Sequence, residues 1–485
     1  MTIILGQVIS FGGIKLLRIP LAIAIMALMA RNIGPSGAGL WAMYMAAGGF
    51  FSSLCLNWSQ SGFVRFGREE WILHQSFKRT LIVRKSLICV GLGISSLLLL
   101  IQPGNFLEEF YHLPGERWIE VFALTVILWL QAETQSIYRI TGQFKRQVLA
   151  QLATDVIVIA YLWLVLKFGT FENPHQLIVG LIFVLCASWF PIWLLAISQP
   201  QGTIFFHLQD LQNQRSKLLA YCWPIIPGMM FMYISNWGNH VLIYSLSTSE
   251  NVGFFDSAFQ VIIAIFSIAS PLSILFLPHL IEMKLRDENA EFIFFNQIVP
   301  SLVVLWSAGT ILGLILLPSL FIMIFGPLYT PAIAILNVLS AAIPGSAILA
   351  LYAIRFELNN RLSQATIYSG LMISVNFLLA GLLVPNFGGV GAAIGISVSY
   401  ILLQLLYLID FHGFSKFWKV KTFYIFIFAT IFGIAQVLVG NDFILRLFLG
   451  SSSFLLLVVF AYSLKILHPA VIKEMLTSFL PSTWK

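Results

Sequence analysis

The chain has 485 residues, of which 59% are hydrophobic, 14% aromatic and only 10% charged, against about 25% charged in a soluble domain. This composition excludes a soluble globule; at ~20 apolar residues per spanning helix it accommodates about fourteen spans with little outside the bilayer. The net charge of +7, from 27 Lys and Arg against 20 Asp and Glu, does not indicate nucleic acid, because basic residues of membrane proteins collect in cytoplasmic loops for topological reasons.

The first apolar stretch runs near 5 to 29 and is interrupted by Lys15 and Arg18 instead of being preceded by them, so it reads as a retained span and not a cleaved signal. Further apolar windows fall near 37 to 63, 82 to 101, 117 to 138, 150 to 167 and 177 to 198, making six. A polar, Gln-rich connection from Gln199 to Lys217 follows. Spans near 219 to 246, 253 to 280, 297 to 318, 330 to 354, 364 to 384 and 389 to 409 make a second six, and runs near 422 to 439 and 446 to 464 bring the total to fourteen. The basic residues test this count. With both termini cytoplasmic, the inside segments carry Arg65, Arg68, Lys78, Arg79, Arg84 and Lys85, then Arg139, Lys145 and Arg146, and later Arg215, Lys217, Lys284, Arg286, Arg355, Arg361, Lys416, Lys419, Lys421, Lys465, Lys473 and Lys485. The outside segments hold only Arg31, Arg117, Lys167 and Arg446.

An internal repeat relates the two groups of six. An offset of 214 residues carries the starts of the first six spans onto those of the second six, within about two residues each, and superposes Gly39 on Gly253 and Tyr138 on Tyr352. Because six is even, both groups enter from the same side, and the repeat is parallel about an axis along the membrane normal. The expected architecture is an all-α polytopic membrane protein: an N-lobe (1–200), a cytoplasmic linker (201–218), a C-lobe (219–412) facing it across a cavity, then two further helices and a cytoplasmic tail (413–485).

No catalytic or nucleotide-binding motif is present: GxxxxGK[ST], HExxH, GxSxG and GxGxxG after a strand are all lacking. An ATP-driven pump encoded by this chain alone is excluded, and no cofactor is implied. The eight His form no i,i+4 pair, and Cys55, Cys89, Cys186 and Cys222 show no CxxC spacing. Attention falls on ionisable residues within apolar spans, which cost ~2.5 to 3.5 kcal/mol each at a helix centre. Lys15 and Arg18, at i,i+3, share a helical face about 16 Å into a ~30 Å core. They form either a cationic patch lining a water-filled cavity or an internal ion pair with Glu133 or Asp155; the two readings are not exclusive. His240 and its neighbour Asn239 are candidates for the same cavity, and Asp155 and Glu133 are candidates for binding a coupling ion. Arg355, near a span end, and Arg65 are further candidates. The segment Gly62 to Lys85, basic and carrying Trp71, Phe77 and Leu81, is either an interfacial amphipathic helix drawn to anionic headgroups or a solvated topogenic loop. Pro20, Pro224, Pro227 and Pro271 are kinks serving packing or hinge motion.

The run Ala30-Arg-Asn-Ile-Gly-Pro-Ser-Gly-Ala-Gly-Leu-Trp41 followed by Gly62-Phe-Val-Arg65 resembles the first two spans of the Wzx-type polysaccharide and O-antigen flippases of the multidrug/oligosaccharidyl-lipid/polysaccharide exporter superfamily. Similar signatures recur at Trp223-Pro-Ile-Ile-Pro227, Ser249-Glu-Asn-Val-Gly-Phe-Phe255, Ile324-Phe-Gly-Pro-Leu-Tyr329 and Val384-Pro-Asn-Phe-Gly-Gly-Val-Gly-Ala-Ala-Ile394. The resemblance implies a flippase of the bacterial inner membrane. It would carry undecaprenyl-pyrophosphate-linked oligosaccharide to the outer leaflet by alternating access, coupled to H+ or Na+, alongside a polysaccharide polymerase and a chain-length regulator. The cationic pair suits that cargo, since fixed positive charge offsets desolvation of a pyrophosphate. The chain departs from the family where the seventh span often carries an Asp-Arg pair and this sequence has Asn239-His240, and it lacks the Ser/Arg-rich first span of the peptidoglycan-precursor flippases. Two alternatives are a drug or cation antiporter of the same fold and an integral-membrane enzyme of polysaccharide assembly.

Overall fold

A computed structural model describes residues 2–102, 105–169, 173–198, 208–223, 226–286, 290–359, 361–413, 416, 420–440, 442–464 and 466. The regular elements among them are all helical, as the bilayer requires of a chain that must satisfy its backbone within each segment. In chain order they are α1 (Thr2–Phe51), α2 (Gln60–His74), α3 (Lys78–Ile101), α4 (Phe106–Tyr111), α5 (Trp118–Thr141), α6 (Phe144–Phe168), α7 (Pro174–Ile197), α8 (Leu208–Cys222), α9 (Ile226–Tyr233) and α10 (Asn239–Leu246). There follow α11 (Ser249–Arg286), α12 (Ala290–Ile293), α13 (Val299–Phe325), α14 (Ala332–Ser340), α15 (Ser346–Leu358), α16 (Leu362–Phe387), α17 (Gly389–His412), α18 (Lys421–Val439) and α19 (Phe443–Ser463). The molecule is a multi-pass membrane protein. Part of the predicted linker, 199–207, and the tail beyond 466 lie outside the described residues, as does Pro224.

Every apolar run read from the sequence falls on one of these helices or on a broken pair of them. By length and composition, ten described helices qualify as spans, or eleven with the bent pair at 209–246 taken as one. Three features separate this count from fourteen. Helix α1 covers the first two predicted spans and breaks at Gly34, whose φ of 66° precedes Pro35; glycine tolerates that left-handed backbone and proline cannot continue the hydrogen-bond ladder. Helix α5 carries Gln131, Glu133, Thr134, Gln135 and Ser136 in succession apart from Ala132, which lowers its hydropathy. The run at 330–354 is two pieces, α14 and α15, interrupted at 341–345.

That interruption is stabilised by side chains. Trp306 donates its indole N–H to the Ile343 carbonyl (3.2 Å) and to Ser346 Oγ (3.0 Å), Ser307 donates to the Pro344 carbonyl (2.7 Å), and Gln404 donates to the Ala342 carbonyl (3.1 Å). The carbonyls freed around Pro344 therefore find partners on α13 and α17, the condition for non-helical backbone at membrane depth.

By packing, the chain divides into two compact units, Ile9–Gly253 and the helices from Phe254 onward. In the first, α5 packs on α2, α6 and α7 around Phe63, Phe77, Leu81, Ile137, Tyr138 and Ile140. In the second, α17 packs on α14, α15 and α16, and α13 on α18 and α19. We propose the lobes at 1–200 and 219–412 from the 214-residue spacing of the sequence.

Candidate functional site

Arg18 and Asp155 meet in the first unit. Asp155 lies about eleven residues, ~16 Å, into α6, and its Oδ2 accepts from Arg18 Nε on α1 at 3.0 Å. The Arg18 side chain is 35% exposed and that of Asp155 12%. The Arg18 side chain is thus the more exposed partner of the pair. Asn32 ties the same two helices further along, donating to the carbonyls of Leu28 (2.7 Å) and Leu162 (3.2 Å). Of the two carboxylates considered as partners for the first-span cations, Arg18 takes Asp155. Lys15 lies on α1, and its side chain falls outside the described residues.

Glu133 pairs with Arg84 and not with a first-span cation. Its Oε2 lies 2.7 Å from Arg84 Nε, with both side chains essentially inaccessible at 1% and 0%. The Arg84 guanidinium also sits 4.6 Å over the Phe63 ring. Arg84, counted above with the cytoplasmic loop residues, is thus a core residue: α3 begins at Lys78, so Arg84 falls in its second turn, where α3 packs against α2 and α5.

Arg355 joins a network within the second unit. It contacts Asp410 Oδ2 (2.8 Å) and Glu291 Oε1 (3.3 Å). Lys284 reaches Glu291 (3.1 Å), and Gln364 and Tyr368 donate to Asp410 at 2.6 and 3.0 Å. The network ties the ends of α11, α12, α15, α16 and α17, so the Arg355 charge is held by protein carboxylates. Arg65 projects from α2 at the surface, 4.7 Å over the Tyr221 ring and 3.7 Å from Glu69. Asn239 and His240 are enclosed, at 1% and 0% exposure. They follow a π-helical turn, Ile234–Gly238, and the His240 ring lies 5.1 Å from that of Trp237.

Sequence reasoning did not single out the crossing of α1 with the start of α11. A Cβ built on Gly39 would collide with the Ser249 carbonyl and lie 3.1 Å from Gly253 N; one built on Gly253 would collide with the Pro35 carbonyl and lie 3.1 Å from Gly39 N. These contacts are reciprocal at the 214-residue offset, Pro35 to Ser249 and Gly39 to Gly253. Ser36 and Ser249 Oγ stand 3.2 Å apart beside it. The signal was present in the repeat, which superposed the two glycines without showing that they touch. Nearby, α4 clasps the seventh predicted span. Tyr111 and Tyr233 share a hydrogen bond (2.9 Å), Tyr233 donates to the Ala46 carbonyl (3.1 Å), and His112 stacks on Tyr244 at 4.7 Å while bonding Ser245 Oγ (3.2 Å).

No protein-family model and no curated protein sequence matches the chain. Solved structures do. The chain is similar to the lipid II flippase MurJ in an inward closed conformation, with a TM-score of 0.65 and 13% identity over 94% of this chain and 99% of that one. It is also similar to an inward-facing multidrug resistance MATE family transporter of the MOP superfamily, with a TM-score of 0.54 and 14% identity over 86% of this chain and 94% of that one. At such identities the likeness concerns architecture, and the chain has the fold shared by this lipid flippase and this MOP-superfamily transporter.

Proposed function

We propose that the protein is a flippase that carries undecaprenyl-pyrophosphate-linked oligosaccharide, an O-antigen or other polysaccharide repeat unit, from the cytoplasmic to the outer leaflet of a bacterial inner membrane. The observation that carries this reading is the Arg18–Asp155 pair at bilayer depth, more exposed on its cationic side. A pyrophosphate crossing a low-dielectric region requires fixed positive charge, and a guanidinium offers planar, bidentate donors suited to phosphate. Asp155 accepts from Nε, and the proposal assigns the Nη groups to the cargo, with Lys15 three residues earlier on α1. The architectural likeness to a lipid II flippase supports a lipid-linked cargo of this class. Alternating access is the transport mode proposed. Coupling to H+ or Na+ through Asp155 is part of the proposal, as is work beside a polymerase and a chain-length regulator.

The test is translocation in proteoliposomes containing lipid-linked oligosaccharide. Arg18→Ala is expected to insert normally and lose transport, with Lys15→Ala weaker. Unchanged rates in both single variants and the double variant refute the cationic mechanism. The likeness to a multidrug transporter keeps a drug or cation antiporter as the second reading; raised resistance to cationic dyes on expression, without rescue of surface polysaccharide in a flippase-deficient strain, favours it.

A further inference from the structure

The helix α2 and the start of α3 form a hairpin that the transport mechanism does not use. Its tip exposes two aliphatic side chains, Ile72 at 62% and Leu73 at 75%. They do not extend the apolar span, because Arg65, Arg68, Glu69 and Glu70 intervene. Hydrogen bonds also tie the tip to the start of α3 and to α8. The Glu70 carboxylate is buried and accepts the backbone N–H groups of Arg79 and Thr80, each at 3.0 Å, together with the Thr80 hydroxyl at 2.7 Å. It thereby caps the first turn of α3 with negative charge. Gln214 of α8 then holds Thr80 Oγ1 at 3.0 Å. One face of α2 is buried through Phe63, Gly67 and Glu70, while the opposite face carries Arg65 and Ile72, seven residues apart. With Glu70 consumed as a cap and Glu69 beside Arg65, Lys78, Arg79 and Lys85 leave the hairpin positively charged.

We propose that this hairpin is an anchor on an anionic lipid surface: Ile72 and Leu73 enter the headgroup layer of the cytoplasmic leaflet while Lys78, Arg79 and Lys85 pair with lipid phosphates. Two exposed aliphatic groups on a hairpin that also carries Lys78, Arg79 and Lys85 match the pattern of an interfacial segment. Charge complementarity selects anionic lipid as the occupant, each Lys or Arg near such a surface contributing about fivefold in partitioning. The proposal concerns membrane contact alone and does not depend on the cargo.

The experiment places a nitroxide at Leu73→Cys in full-length protein whose four native cysteines are replaced by alanine. It compares vesicles of phosphatidylcholine with vesicles containing one-third phosphatidylglycerol, by collision with oxygen and with a water-soluble nickel chelate. The expected result is protection from the chelate, with raised oxygen contact, only when phosphatidylglycerol is present. Lys78→Gln/Arg79→Gln/Lys85→Gln should abolish that difference, and a circular dichroism spectrum and melting curve matching the parent establish that this variant is folded. A probe that stays open to the chelate in both vesicles overturns the proposal. So does equal protection in both, or protection that appears only after a cytoplasmic protein fraction is added.

Discussion

The crossing of Gly39 with Gly253 makes the sharpest prediction. Replacing either glycine by alanine puts a methyl carbon inside contact distance of a backbone carbonyl, Ser249 or Pro35, and neither carbonyl belongs to a flexible side chain that could turn aside. The two helix segments must separate. Overpacking of this kind costs about 1 to 3 kcal/mol, which, taken up by one state of a two-state equilibrium, shifts its population about 5- to 150-fold away from the tight crossing. The assay uses the neighbouring serines, whose hydroxyls are 3.2 Å apart. A Ser36→Cys/Ser249→Cys pair is expected to form a disulfide under mild oxidation, to stop transport, and to release it on reduction. Adding Gly39→Ala or Gly253→Ala should slow cross-linking by the stated factor, with the double variant slower still. If Gly39→Val/Gly253→Val cross-links and transports as the parent does, the two backbones are not in tight contact and the reasoning fails.

Other consequences are testable by the same means. Arg84→Ala strands a fully buried Glu133 and should lower stability by about 3 to 5 kcal/mol, read as a fall in melting temperature in detergent; Arg84→Met/Glu133→Leu should recover most of that loss. For the Arg18–Asp155 pair, Asp155→Ala should reduce transport with a smaller stability change than Arg84→Ala, since the Arg18 side chain is 35% exposed and that of Arg84 is fully buried; a melting temperature as low as that of Arg84→Ala would contradict this. Trp306→Phe leaves the Ile343 carbonyl and Ser346 without the indole donor and should cost about 1 to 3 kcal/mol, with hydrogen exchange increasing at 341–346 before elsewhere.

Particular residues show how far the sequence could be read. Lys15 and Arg18 stood out because charge at bilayer depth is expensive wherever it occurs along a chain, and expense is legible one residue at a time. Which carboxylate answered Arg18 was not legible: Asp155 lies 137 positions away, and Glu133 satisfied every sequence criterion equally well. That Arg84 is buried against Glu133 was not legible, because the positive-inside pattern counts a basic residue at the start of a span without regard to what packs around it. The interruption at 341–345 was invisible because hydropathy scores apolar content and is indifferent to whether Pro344 breaks the backbone, while the groups that make the break tolerable come from 306, 307 and 404.

Composition and periodicity alone determined that this protein is helical and crosses a membrane many times, because lipid imposes on each segment, independently of its neighbours, the demand to bury its own backbone polar groups. The equal spacing at an offset of 214 residues is the ground on which we propose a duplication. The tertiary structure decided the pairings: Arg18 with Asp155, Arg84 with Glu133, Gly39 against Gly253. Each is a distance between residues remote in sequence, and such distances are set by which helices lie side by side, a property of packing that hydropathy, summed along one strand of chain, does not contain.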